Sequence, residues 1–143
     1  MDYTTKLAKN FTLGEIAGYR NDNIPYGEHL VNAVALCNAV LQPLRNVVGA
    51  ISINSGYRCL DYNKRVGGAT NSQHTKGQAA DITMKGNIDL IFQLIIAEFD
   101  YDQIILEDNG RSKWIHISYN IEGNRKEALT YKDGKYTKVE VKV

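Results

Sequence analysis

Asn71-Ser72-Gln73-His74-Thr75-Lys76-Gly77-Gln78-Ala79-Ala80-Asp81-Ile82-Thr83-Met84 runs from a polar loop into a segment of strand character. Gly77 permits a tight return between the two, so a loop histidine and a strand aspartate can converge. Alternation from Ala79 to Met84 puts Ala79, Asp81 and Thr83 on one face, and Ala80 and Ile82 on the other. Trp114-Ile115-His116-Ile117-Ser118 alternates the same way, with Trp114, His116 and Ser118 opposite the core-seeking Ile115 and Ile117. His74, Asp81 and His116 thus lie on faces turned away from the apolar residues. Two imidazoles and a carboxylate with an open fourth position suit one catalytic Zn2+ ion. Spacing by itself does not separate such a set from a chance pair seven residues apart.

Working outward, the polar, glycine-punctuated stretch from Gly56 to Gly77 is long for a loop in a compact domain, and loops of that length are usually functional. A short helix is expected within it, from Asp61 to Val66. Ala50-Ile51-Ser52-Ile53-Asn54-Ser55 before it alternates as a strand. On the other side, Asn87 caps an apolar helix through Glu98. Strands follow at Gln103–Glu107 and Trp114–Ser118, paired through Asp108-Asn109-Gly110-Arg111-Ser112. Lys126–Tyr131 and Lys135–Val143 read as a hairpin about Asp133-Gly134. Upstream, Thr12 and Glu15 form a capping box and Phe11 and Ile16 a hydrophobic staple. A helix from Gly27 to Val47 is expected to bury Leu30, Val31, Val34, Val40, Leu41 and Leu44, with a kink or early end at Pro43. Helices first and strands later predict an α+β domain spanning 1–143, with N-terminal helices packed on a central antiparallel sheet.

The composition excludes several function classes. The 143 residues are 43% hydrophobic and 23% charged, with 17 Lys and Arg against 16 Asp and Glu and a net charge of +1. That balance gives no basic footprint for nucleic acid and no polybasic membrane anchor. The apolar run at Leu90–Ala97 is broken by Gln93 and falls short of the roughly 18 residues of a membrane span. Cys37 reads as a buried free thiol, and nothing supports a bond to Cys59. His29 reads as a surface histidine. Trp114, Tyr57, Tyr62 and Tyr119 are candidates to wall a cleft, although aromatics beside a sheet more often serve as packing.

Ser55-Gly56-Tyr57-Arg58, Asn63, Val66-Gly67-Gly68, Ser72-Gln73-His74 through Asp81-Ile82, and Trp114-Ile115-His116-Ile117-Ser118 occur in this order. Together they closely resemble the zinc D-Ala-D-Ala carboxypeptidase family, which includes bacterial and phage murein peptidases. Phe11-Thr12-Leu13 and Leu41-Gln42-Pro43-Leu44-Arg45 look like its small phage-type branch. The resemblance covers roughly residues 10 to 120. It implies that the sheet carries a zinc site of His74, Asp81 and His116. It also implies hydrolysis next to D-alanine in peptidoglycan stem peptides, with Arg58 on the substrate carboxylate or scissile carbonyl and Ser72 donating to substrate. Gly67 and Gly68 read as turn residues.

Many members of that family carry a glutamate three residues before the last histidine ligand, as general base. Here Lys113 stands there. The expected pairing of Gln103–Glu107 with Trp114–Ser118 brings Glu107 near His116, which makes Glu107 the expected base and Asp108 the second candidate. The same family fold serves L-Ala–D-Glu endopeptidases of the same mechanism and zinc-containing binding domains without turnover, and the sequence leaves these open. Met1-Asp2-Tyr3-Thr4-Thr5-Lys6 carries no readable secretory signal. The expectation is a monomer made in the cytoplasm, released to the wall as phage endolysin-like enzymes are, or acting inside on recycled wall fragments.

Overall fold

Thr12 starts the first helix as its sequence demands. In the computed structural model, which describes residues 2–140, the Thr12 hydroxyl accepts from the Glu15 N–H, and Glu15 Oε1 accepts from the Thr12 N–H at 3.0 Å. The helix, α1 (Leu13–Ala17), ends at Gly18 with φ 65°, a left-handed cap that glycine adopts without strain. Phe11 and Ile16 are both buried, as a staple requires. Two short strands precede α1: β1 (Lys6–Ala8) and β2 (Phe11–Thr12), paired antiparallel. Segments of three and two residues are too short to show a period, so the sequence did not announce them.

The long helical run is α2 (Glu28–Leu36), a π-turn (Cys37–Leu41) and α3 (Gln42–Val48). It passes through Pro43 without ending. Just ahead of the proline the ladder widens, with the Gln42 N–H donating to the Cys37 carbonyl five residues back. A π-turn absorbs the missing donor and the ring that would clash with a regular i−4 carbonyl. The buried stripe is Ala33, Leu36, Cys37, Val40, Leu41 and Leu44, whereas Val31 and Val34 are exposed. The face of α2 that packs inward carries Ala33, and Gly77 lies close to it, with its bare Cα against the His29 carbonyl and the Ala33 N–H.

The main sheet has the order β3-β4-β6-β5-β7-β8. Its strands are β3 (Ile51–Ser55), β4 (Ala79–Met84), β5 (Gln103–Asp108), β6 (Lys113–Ser118), β7 (Glu127–Lys132) and β8 (Lys135–Val139). Between them lie α4 (Leu60–Arg65) and α5 (Ile88–Glu98), the latter capped by the Asn87 side chain. The sheet is mixed, because β5 and β7 run parallel while every other pairing is antiparallel. The β7–β8 hairpin was expected to reach residue 143; residues 141–143 lie outside those described. No helix among the described residues is long and apolar enough to cross a membrane.

One sheet face carries Ile82, Ile104, Ile115 and Ile117, all fully buried together with Leu36, Leu41, Leu44, Phe92 and Ile95 of the helices. Each such side chain contributes roughly 1.5–3 kcal/mol on burial. That packing fixes the strand register, because a slip of one residue would exchange the two faces. The opposite face is thereby committed to the polar residues of the same strands.

Candidate metal centre

Register brings the expected ligands together. Asp81 on β4 lies directly opposite His116 on β6, and Ile105 on β5 flanks His116 on its other side. His74 comes from a 3₁₀ turn (Gln73–Lys76) that ends at Gly77, φ 76°. Asp81 Oδ1 lies 3.1 Å from His116 Nδ1 and 3.4 Å from His74 Nε2. One ligand atom from each of the three residues lies within 4.8 Å of the others. The side chains are 3% (His74), 12% (His116) and 21% (Asp81) exposed, so water screens them poorly. Burial pushes the Asp81 carboxyl up, but hydrogen bonds and charge from His116 and His74 outweigh it and hold the group well below the usual carboxylate range.

The donor chemistry fits a cation. His74 Nδ1 is 2.7 Å from the Gly56 carbonyl oxygen, which only accepts, so Nδ1 carries the ring proton. In the neutral ring Nε2 is then a bare acceptor, and it faces a carboxylate oxygen, another acceptor. Such a contact is favourable once a proton or a metal ion lies between the two atoms. An N,N,O set of this kind, with its second partner already fixing the tautomer, is what zinc uses. Gly56 can present its carbonyl there because it packs against the Ile16 backbone, where an added Cβ would stand only 2.6 Å from the Ile16 oxygen.

A cavity of about 520 Å³ opens over the triad. Arg58, Ser72 and Glu107 line it, as the sequence led one to expect; so do Gln73, Gln103, Arg125 and Tyr136, which it did not. Tyr136 and Arg125 come from the C-terminal segment, and only the β5–β7–β8 register reveals their reach. Arg58 has a buried Nε without a hydrogen-bond partner among the described residues, an unusual state for a guanidinium. Its backbone is held by the His74 carbonyl at 3.0 Å. Asn23, also missed, grips the residues on either side: its amide donates to the Tyr57 carbonyl (2.7 Å) and accepts from the Cys59 N–H (2.7 Å). An asparagine so far upstream gave no local signal of this.

Glu107 lies on the same face as His116, opposite Trp114, whose indole N–H donates to Glu107 Oε2 at 3.0 Å. Burial and the negative charge of Asp81 hold the Glu107 carboxyl above its ordinary value, against the pull of His116, Trp114 and Arg58. Trp114 is half-buried beside Glu107, and the cavity lining does not include it. Lys113, an odd number of residues from His116, points to the other sheet face and pairs with Asp89 of α5 at 3.2 Å. Asp108 is likewise on the far face, opposite Lys113 and 3.9 Å from Lys132. Gly67 is a turn glycine with φ 75°, but Gly68 does more than turn. A Cβ there would strike Asn63 Oδ1 and come within 3.0 Å of Arg58 Nη1.

Tyr57 is in the core with its hydroxyl 3.0 Å from His29 Nδ1, so His29 is tied down and only partly exposed. Tyr62 has the Arg20 and Arg65 guanidiniums against its ring, and Tyr119 packs against the core; none of these three tyrosines lines the cavity. Cys37 and Cys59 are both free.

Residues 9–118 match the Peptidase M15 family. A zinc D-Ala-D-Ala carboxypeptidase from Streptomyces albus G is 38% identical over 80 residues, which is 51% of this chain and 31% of that protein. The chain thus spans about a third of the length of the curated relative it matches. The matched stretch holds His74, Asp81, His116, Arg58 and Glu107 in one cavity, and by that match the chain belongs to the Peptidase M15 family.

Proposed function

We propose that this chain is a zinc-dependent peptidase that hydrolyses a bond next to D-alanine in bacterial cell-wall peptides. The observation that carries this reading is the grouping of the His74–Asp81–His116 set with a half-buried Glu107 and the Arg58 guanidinium in one cavity. The substrate class is taken from the Streptomyces relative, a zinc D-Ala-D-Ala carboxypeptidase.

His74, Asp81 and His116 would hold the zinc. When bound, zinc supplies Lewis acidity toward the scissile carbonyl and toward water. Glu107 takes the proton of the attacking water and later gives it to the leaving amine, a role that a carboxyl with a raised pKa fills well. Trp114 holds one Glu107 oxygen, which leaves the other free for this transfer. Arg58 offers its guanidinium to the substrate carboxylate or the developing oxyanion, where a fixed fork is effective. Ser72 stands at the cavity wall, where its hydroxyl already accepts from the His74 N–H and can donate to a peptide carbonyl.

The test is mass spectrometry of defined pentapeptides and cross-linked muropeptides incubated with zinc-loaded protein, beside a chelated control. Chelator-sensitive release of D-alanine, or opening of a D-Ala cross-link, is the expected result. Cleavage after L-Ala would keep the mechanism and change the bond. No cleavage by folded, zinc-bound protein would overturn the peptidase reading. In the same assay Glu107→Gln should lower kcat by roughly 10²–10⁴-fold with zinc retained.

A further inference from the structure

Asp102 is a carboxylate only 2% exposed and plays no part in the chemistry above. Burying an ion this deeply is unfavourable unless its lone pairs are filled. Here they are. Oδ2 accepts from Gln73 Nε2 at 2.8 Å and Arg125 Nη2 at 3.0 Å, and Oδ1 from the Arg125 backbone N–H at 2.7 Å and Nε at 3.2 Å. Its backbone is engaged too: the Asp102 N–H donates to the Ser118 carbonyl, and the Asp102 carbonyl accepts from the Glu127 N–H.

These bonds reach both ligand-bearing segments. Ser118 ends the strand of His116, and Gln73 immediately precedes His74 in the turn that the Gln78 N–H closes onto the Gln73 carbonyl. That turn must be held in place, because His74 reaches the ligand set from a four-residue turn and not from the sheet, with its Nε2 3.4 Å from Asp81 Oδ1. Arg125 and Glu127, the other partners, lie beyond the residues matched to the family.

We propose that Asp102 is a positioning residue for the metal centre, holding the His74 turn through Gln73 and tying it to the C-terminal segment through Arg125. The inference rests on the zinc reading and goes beyond it: it assigns the preorganisation of the ligand set to a residue that touches neither metal nor substrate. A ligand turn released from its anchor loses metal affinity, as happens when supporting partners of ligands are removed.

The experiment is zinc affinity of the full chain, by competition with a chromophoric chelator and without substrate. Gln73→Leu, which leaves the Asp102–Arg125 pair intact, and Asp102→Asn should each raise the zinc Kd about tenfold or more. Leu44→Ala, a core truncation remote from the cavity, should lower Tm and leave the Kd unchanged. Wild-type-like Kd values in Gln73→Leu and Asp102→Asn would overturn the proposal, as would an equal loss in Leu44→Ala. A wild-type chain that binds no zinc would instead overturn the metal reading on which it stands.

Discussion

Trp114 Nε1 donates a 3.0 Å hydrogen bond to Glu107 Oε2 across a pair of directly opposed residues on β6 and β5. The bond favours the carboxylate over the acid. Trp114→Phe keeps the ring and removes the donor, so the Glu107 pKa should rise relative to wild type. The acidic limb of kcat/KM should move to higher pH, and kcat should fall about tenfold, the scale of one hydrogen bond to a charged group. A pH–rate profile of the two proteins reads this directly; coincident acidic limbs would argue against the pairing.

Gly68 leaves room for Asn63 and the Arg58 guanidinium. In Gly68→Ala the added methyl must displace one of them. We expect kcat/KM to fall about tenfold, with the change in KM larger than that in kcat if Arg58 binds the substrate carboxylate. Zinc content should be unchanged. Steady-state kinetics on a D-Ala-terminated peptide, with metal analysis alongside, checks both halves.

The Asp102 carboxyl is raised by burial but lowered more by its hydrogen bonds to Arg125 and Gln73, for a net shift below its ordinary 3.8. A depressed folded pKa contributes stability that is present above the unfolded value and lost as pH falls through the folded one. Glu127, near Arg125, is the other charge facing this cluster. Asp102→Asn should therefore destabilise the metal-free protein by about 2 kcal/mol near neutral pH, discounted for the half-exposed Arg125. The gap between variant and wild type should narrow from about pH 4 downward. Urea melts at a series of pH values measure it.

Cys37 is fully buried, and burial pushes its thiol up to about 12. Only thiolate reacts quickly, so Cys37 should be inert in the native protein. Cys59 is partly exposed. Ellman's reagent should report one equivalent in native protein and two in denaturant; two rapid native equivalents would contradict the packing of Cys37 beneath the helices.

Local sequence carried much of this molecule. The Thr12–Glu15 box, the Asn87 cap and the hairpin at Asp133-Gly134 act over three or four residues and formed as read. Period-two alternation fixed which side chains of β4 and β6 avoid the core; the β4–β6 register then set Asp81 opposite His116. The same rule sends Lys113 and Asp108 to the far face.

What tertiary structure alone decided depends on contacts between segments far apart in the chain. The parallel β5–β7 pairing brings Tyr136 and Arg125 to the cavity, and no local pattern encodes which strand a hairpin joins. On α2 the buried position is Ala33, packed near Gly77, while Val31 and Val34 are exposed; a glycine and an alanine carry almost no hydropathy signal. Asn23 beneath Arg58 and Asp102 beneath Gln73 are ordinary polar residues in sequence. Only folding buries them, and burial is what turns their hydrogen bonds into supports for the residues lining the cavity.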